Sequence, residues 1–289
     1  MAKSSTTDIL QDEFRRRPLW RRLLRHSSGI IGSMLVLLVI LGGLFAPLLS
    51  RYDPTIQNLS NALKSPSAEH FFGTDELGRD IFSRVLYGAR ISLSFSCLTV
   101  IISAILGSVL GIVAAYYGGW LDEIIMRMTD IFLAFPGILL AVAIVGVLGG
   151  DMKNILIANT FYIAPGFVRV ARGAALSVKN NEYVEAARSL GANNRSIIFK
   201  HILPNCISSM LVQSTLRIGS VILLTAGLSF LGLGPKPPTP EWGLMLGTGR
   251  AYVRIAPYVS VIPGGAIMLA VLGFNLLGDA LRDVLDPQQ

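Results

Sequence analysis

Residues 182–205 read EYVEAARSLGANNRSIIFKHILPN, a polar island between two long apolar runs, and the way this stretch folds decides how the rest of the chain is arranged. Tyr183, Ala186, Ala187 and Leu190 fall at i, i+3, i+4 and i+7, so a first short helix carries one apolar stripe backed by Glu182, Glu185 and Arg188. Gly191, just past the last periodic residue, supplies a left-handed cap that stops this helix. Asn194 can cap a second helix from Arg195, and Pro204 marks that helix's end. The segment is expected to be a rigid elbow of two short helices and a turn.

The surroundings of the elbow are membrane-like. The chain has 289 residues, 52% hydrophobic and 15% charged, with a positive mean hydropathy, more apolar sequence than a soluble core uses. The net charge of +7 comes from basic residues that flank apolar runs, where they orient a protein in the bilayer, so no nucleic-acid partner is expected. Cys97 and Cys206 begin different runs entered from opposite sides. A disulfide between them is implausible, a metal site has no support, and both read as small packing residues.

Uncharged runs at 27–50, 91–121, 131–150, 218–235 and 255–278 each approach or exceed the ~20 residues that cross a bilayer. A sixth, 154–168, is shorter and reaches span length only if Arg169 and Arg172 snorkel to the interface. The expected fold class is therefore an all-α membrane protein with six transmembrane helices and both termini in the cytosol. Its parts are a basic cytosolic segment 1–28, a first helix 29–49, an outer loop 50–90, a core transmembrane domain 91–281 with a cytosolic loop 176–205, and a cytosolic tail 282–289. The RRRPLWRRLLRH run at 15–26 reads as a cytosolic anchor, with a membrane-surface helix as the alternative. Gly107 and Gly111 form a GxxxG step that lets helices approach closely. Pro136, Pro165 and Pro263 sit inside spans, where kinks beside a solvated path and ordinary kinks are both open. Asn159 and Arg217, polar residues inside the fourth and fifth spans, are candidates to line a path. For Arg217, pairing with a partner subunit or snorkelling stays open too.

At the elbow, Glu185-Ala186-Ala187, Gly191 and Leu203-Pro204 resemble the EAA loop of ABC importer permeases. His201 departs from the generic pattern, which has isoleucine there, but HILPN at 201–205 is similar to the variant of the dipeptide/oligopeptide/nickel permeases. FFGTDELGRDIFSRVLYGAR at 71–90 reads by itself as a solvated turn leading into a helix, and it resembles the C-type subunit of that family. PPTPEWG at 237–243, which would present Trp242 near the interface, and NLLGDALRDVLDP at 275–287 are similar to further family blocks. The resemblance implies a type I ABC importer permease (MetI-like) fold. It also implies contact with an ATPase through Glu182, Glu185, Ala186, Ala187, Gly191, Arg195, His201, Leu203 and Pro204. The implied partners are a second homologous permease, two cytosolic ABC ATPase subunits and an extracytoplasmic substrate-binding protein in the bacterial inner membrane. Short peptides are the leading cargo, with glutathione, nickel and opine-like solutes carried in the same family.

There is no GxxxxGK[ST] loop to cradle phosphates, so ATP and Mg are expected on partner subunits, with no cofactor on this chain. HExxH, GxSxG and clustered His/Cys sets are missing as well, which argues against an enzyme. A secondary transporter or channel is the rival class. It would favour inverted repeats and mid-membrane acids, whereas Asp130 and Asp279 lie near span ends. The topology is checked with single cysteines at Ser67 and Ser196 in a background without the native cysteines. On intact cells an impermeant maleimide should label the first and not the second; equal labelling would reject the six-span arrangement.

Overall fold

The computed structural model describes residues 22–23 and 26–285. Most of the basic run at 15–26, with the anchor expected there, and the tail beyond 285 lie outside the described residues. The described structure is almost wholly helical, because a chain in hydrocarbon must satisfy each backbone N–H and C=O within its own segment.

Helix α1 (Ser27–Leu44) continues into the short α2 (Ala46–Leu49), so the first span keeps its expected length. Met34, Leu37, Leu38 and Leu48 of this pair are exposed, the apolar outer face a lipid-facing helix presents. The opposite side of α1 lies along the last helix, α11 (Tyr258–Leu285), which contains Pro263 without breaking.

The helix that carries the second span, α3 (Ile81–Tyr117), has 37 residues and starts ten residues before the uncharged run at 91–121. It begins early because Asp80 caps it, accepting from the backbone N–H and the hydroxyl of Ser83 at 2.8 and 2.7 Å. The charge within this added turn is matched. Arg84 is buried, donates to the carbonyls of Pro54 (2.7 Å) and Pro238 (3.1 Å), and lies 3.4 Å from Asp75. The FGTDELGRD turn is likewise not solvated. Arg79 reaches Asp75 at 2.6 Å and Glu76 at 3.0 Å, His70 reaches Asp80 at 2.9 Å, and Asp75, Arg79 and Asp80 are all buried.

The expected third span is broken. Helix α4 (Gly119–Ala134) meets α5 (Gly137–Leu148) at 91°, with Pro136 at the corner, where its missing N–H makes a helix start cheap and a helix continuation costly. Helix α6 (Met152–Lys179) is the fourth, 28 residues long, with Pro165 inside it. Arg169 and Arg172 are matched by acids. The fold-back of α4 brings Asp130 to 2.7 Å from Arg169 and Asp122 to 2.6 Å from Arg172 in a two-pronged pair. Among the described residues, four helical stretches are long and apolar enough to cross a membrane, and the bent α4/α5 pair is a fifth. At ~1.5 Å per residue α6 has the length for a sixth crossing, although its arginines interrupt the apolar run.

After α7 (Glu182–Ser189) come α8 (Asn194–Ile197), a wide π-turn (Ile198–Ile202) and α9 (Leu203–Phe230). The outer loop between α9 and α11 holds α10 (Trp242–Gly249). Trp242 is not presented at the interface: it is buried and its indole Nε1 donates to the Val85 carbonyl at 3.0 Å, pinning α10 to α3. Glu241 caps α10 through the backbone N–H groups of Gly243 (2.9 Å) and Leu244 (2.8 Å). Burial pushes its carboxyl above the ordinary range, and those two hydrogen bonds pull the other way.

The buried charges of the outer loop make a stability test. Asp75→Ala leaves Arg79 and Arg84 desolvated without their shared carboxylate and should cost about 3–5 kcal/mol. Arg127→Ala removes only the exposed 3.8 Å pair with Glu123 and should leave the unfolding temperature in detergent unchanged. Equal melting of the two variants would contradict the buried network.

Candidate coupling surface

The elbow stands on the ends of α3 and α6. Lys179, the last residue of α6, donates from Nζ to the Ala115 carbonyl at 2.9 Å, and the Tyr116 hydroxyl meets Asn194 Oδ1 at 2.7 Å. The Arg188 guanidinium lies 6.0 Å from the centre of the Tyr116 ring, within cation–π range. Beneath, Val184, Ile197 and Ile202 are buried in one cluster with Ile112, Ala115, Ala171, Ala175 and Val178. Three apolar side chains, one from each part of the elbow, thus root it in the helix bundle.

Gly191 has φ +86°, the left-handed cap that α7 needs, and a Cβ built there meets nothing within 4 Å. The second helix is capped by Asn193 rather than Asn194: the Asn193 side chain accepts from the Ser196 N–H at 2.8 Å, which frees Asn194 for Tyr116. Pro204 does not end that helix. The chain stays helical from Asn194 to Phe230, because the π-turn before Pro204 widens the backbone where the proline ring would clash. Pro204 therefore falls in the first turn of α9, directly after the π-turn. Asn205 Nδ2 donates to the His201 carbonyl at 2.6 Å.

The apolar stripe of α7 points away from the bundle. Only Val184 is buried, whereas Tyr183, Ala186 and Leu190 are exposed, Leu190 by 89%. Ala187 is half-buried at the stripe's edge. Phe199, 66% exposed, adds to the same polar segment a residue that its spacing did not single out. Glu182 and Glu185 are exposed in the first turn of α7, where the helix dipole favours them, and Arg195 is exposed on α8. His201 is half-buried with its ring 6.1 Å from that of Tyr183, and Leu203 is half-buried against the core. Among the described residues the elbow brings no nucleophile and base together; it presents two carboxylates, a guanidinium and exposed apolar side chains next to one another.

The two path candidates fall in different settings. Asn159 is fully buried and donates from Nδ2 to Thr225 Oγ1 at 2.9 Å, an interhelical clamp between α6 and α9 that faces no open surface of this chain. Arg217 is half-buried midway along α9, with its guanidinium beside Gly166 of α6. Tyr116 and Lys179, which hold the elbow in place, carry no pattern in the sequence, since each acts through a contact across more than 60 positions.

Residues 107–289 match the model of the binding-protein-dependent transport system inner membrane component, and 16–66 that of the N-terminal transmembrane domain of oligopeptide transport permease C. The chain is 46% identical over 291 residues to the glutathione transport system permease protein GsiD of Pectobacterium atrosepticum, covering 99% of this chain and 97% of that one. It is 47% identical to the dipeptide transport system permease protein DppC of Alkalihalophilus pseudofirmus, over 94% of this chain and 90% of the relative. A solved structure of the inward-facing MetNI methionine ABC transporter superposes with a TM-score of 0.57 at 19% identity, covering 69% of this chain and 95% of its own. That likeness concerns the fold alone, and it is the MetI-like fold implied by the motifs.

Because Gly191 has open space around it, the penalty of a substitution there is backbone strain, about 1–2 kcal/mol for a residue with a Cβ. Gly191→Val should reach the membrane at near-normal amount and broaden the distance distribution between spin labels at Ser189 and Ser196. Gly191→Asn should keep it narrow, since asparagine tolerates this region. Identical distributions for wild type and the valine variant would show that the turn is not held by its left-handed residue.

Proposed function

The chain belongs to the binding-protein-dependent transport system inner membrane component family, as a permease subunit of an ABC import system, and on that premise we propose that residues 182–205 are the surface through which ATPase subunits drive it. The observation that carries this reading is the outward apolar stripe of α7. Tyr183, Ala186 and Leu190 project into water from a segment that is otherwise polar and well anchored. Burying a side chain such as Leu190 in a partner's groove is worth about 1.5–3 kcal/mol, reason enough for a partner to hold it.

The transmission of movement follows from the helix that does not stop. A displacement at α8 enters the span as a rigid motion, since the backbone is helical from Asn194 to Phe230. The same displacement reaches α3 and α6 through Tyr116 and Lys179. ATP binding and hydrolysis, with Mg, take place on two cytosolic subunits. A second homologous permease completes the path, and an extracytoplasmic binding protein delivers the solute and largely selects it. The elbow and both termini lie in the cytosol, and the membrane is the bacterial inner membrane. The solute is a short peptide or glutathione, the cargoes for which the relatives are named.

The test is reconstitution of the chain with its partner subunits in proteoliposomes. Uptake of dialanine or glutathione should require ATP hydrolysis and run without an ion gradient. Leu190→Asp should leave membrane insertion unchanged while reducing co-purifying ATPase at least about tenfold, the equivalent of losing the lower estimate of that burial. Uptake should fall with it. Gradient-driven uptake, or an aspartate variant that keeps its ATPases, would overturn the reading.

A further inference from the structure

Arg217 lies midway along α9, roughly 20 Å from either end of that helix at ~1.5 Å per residue. A cation at that depth is strongly disfavoured unless it meets a counter-charge, a dipole or water. None of the described residues is recorded as its ion-pair or hydrogen-bond partner. Arg217 is half-buried, and its guanidinium lies against Gly166 of α6: a Cβ there would come within 3.3 Å of Nη2 and 3.7 Å of the Gln213 amide nitrogen, so the glycine lets both polar groups sit close to the α6 backbone.

A polar face runs from Arg217 toward the elbow end of the bundle. Ser209, Gln213 and Arg217 recur every four residues, and Ser220 follows three later, so one face of α9 carries a polar stripe within an otherwise apolar span. A groove of about 450 Å³ opens between α6, α9 and the end of α11; Ser209, Gln213 and Arg282 line it, and Val170, one turn from Gly166, forms the α6 side. Arg217 thus stands one helical turn beyond a groove that already holds a second arginine.

We propose that Arg217, with Gln213, is a binding site for the carboxylate of the permeating solute, met midway through the membrane before release along the groove. Resting on the importer reading, the proposal narrows the solutes to those with a free carboxylate. The five N–H donors of a guanidinium suit a carboxylate in a two-pronged arrangement, and the Gln213 amide supplies a further donor one turn away.

The experiment uses the whole complex in nanodiscs, with Cys97→Ser and Cys206→Ala and a reporter Gln213→Cys. The probes are an anionic thiol reagent, 2-sulfonatoethyl methanethiosulfonate, and its cationic trimethylammonium counterpart. With Arg217 present the reporter should react faster with the anionic reagent, and Arg217→Gln should lower the anionic-to-cationic rate ratio at least about tenfold, as expected for a unit charge one turn away. Arg217→Lys should keep most of the ratio. Dialanine should slow the anionic reaction several-fold, and its C-terminal amide should not. A ratio unmoved by Arg217→Gln, or equal protection by the two solutes, would overturn the site. So would a reporter that neither reagent reaches with or without ATP, which would mean that Arg217 is sealed against the second permease. If the charge preference stands while uptake proves independent of ATP, the importer reading falls and the anion site does not.

Discussion

Gly107 and Gly111 touch α6 with nothing between the backbones. A Cβ at Gly107 would sit 2.4 Å from that of Phe167, and one at Gly111 would sit 2.5 Å from the Val168 carbonyl oxygen. In hydrocarbon there is no hydrophobic gain from pressing two apolar helices together, so their association rests on close packing, and small residues make that packing dense. The rest of the molecule is hung on this contact. Helix α3 becomes the mast along which α6 runs, and the adjoining ends of the two helices form the footing of the elbow. Helix α9 then packs against both.

The two ends of that mast are finished in opposite ways. At the end that carries residues 50–90 and α10, charges are taken out of water and matched. Arg84 joins the first outer loop at Pro54 to the second at Pro238, Asp75 serves two arginines, and Trp242 and Glu241 bind α10 down. Desolvated pairs are unforgiving of displacement, because moving one partner leaves the other buried and bare. At the elbow end the polar groups stay wet and the apolar ones split between anchoring and display. Val184, Ile197 and Ile202 go in; Tyr183, Leu190 and Phe199 go out.

The chain is helical through Pro204, from Asn194 to Phe230. A break at the proline would separate the elbow from the span. The π-turn at Ile198–Ile202 widens the backbone ahead of the proline ring, so the helix is interrupted instead at Gly191, between α7 and α8. The same continuity puts Arg217 and Gln213 on the helix that begins in the elbow.

The apolar runs, the family motifs, the glycine turn at 191 and the close step at Gly107 and Gly111 were legible in the sequence, because each depends on residues near one another in the chain: on hydropathy over a span, on a missing Cβ, on a cap. The class of fold and the candidate surface followed from these alone. What the sequence could not settle depended on which distant group lies opposite. Arg84 is admitted to a span helix because Pro54, Asp75 and Pro238 surround it, and Arg169 and Arg172 find acids because α4 folds back at Pro136. The stripe of α7 faces outward because Val184, which no stripe contained, fits the bundle better. Asn159 is a clamp because Thr225 stands across from it. Local chemistry determines that a segment is helical and where it can bend, while the cost of burying a charge or exposing a leucine is set by the neighbour across the gap, and only the tertiary structure supplies that neighbour.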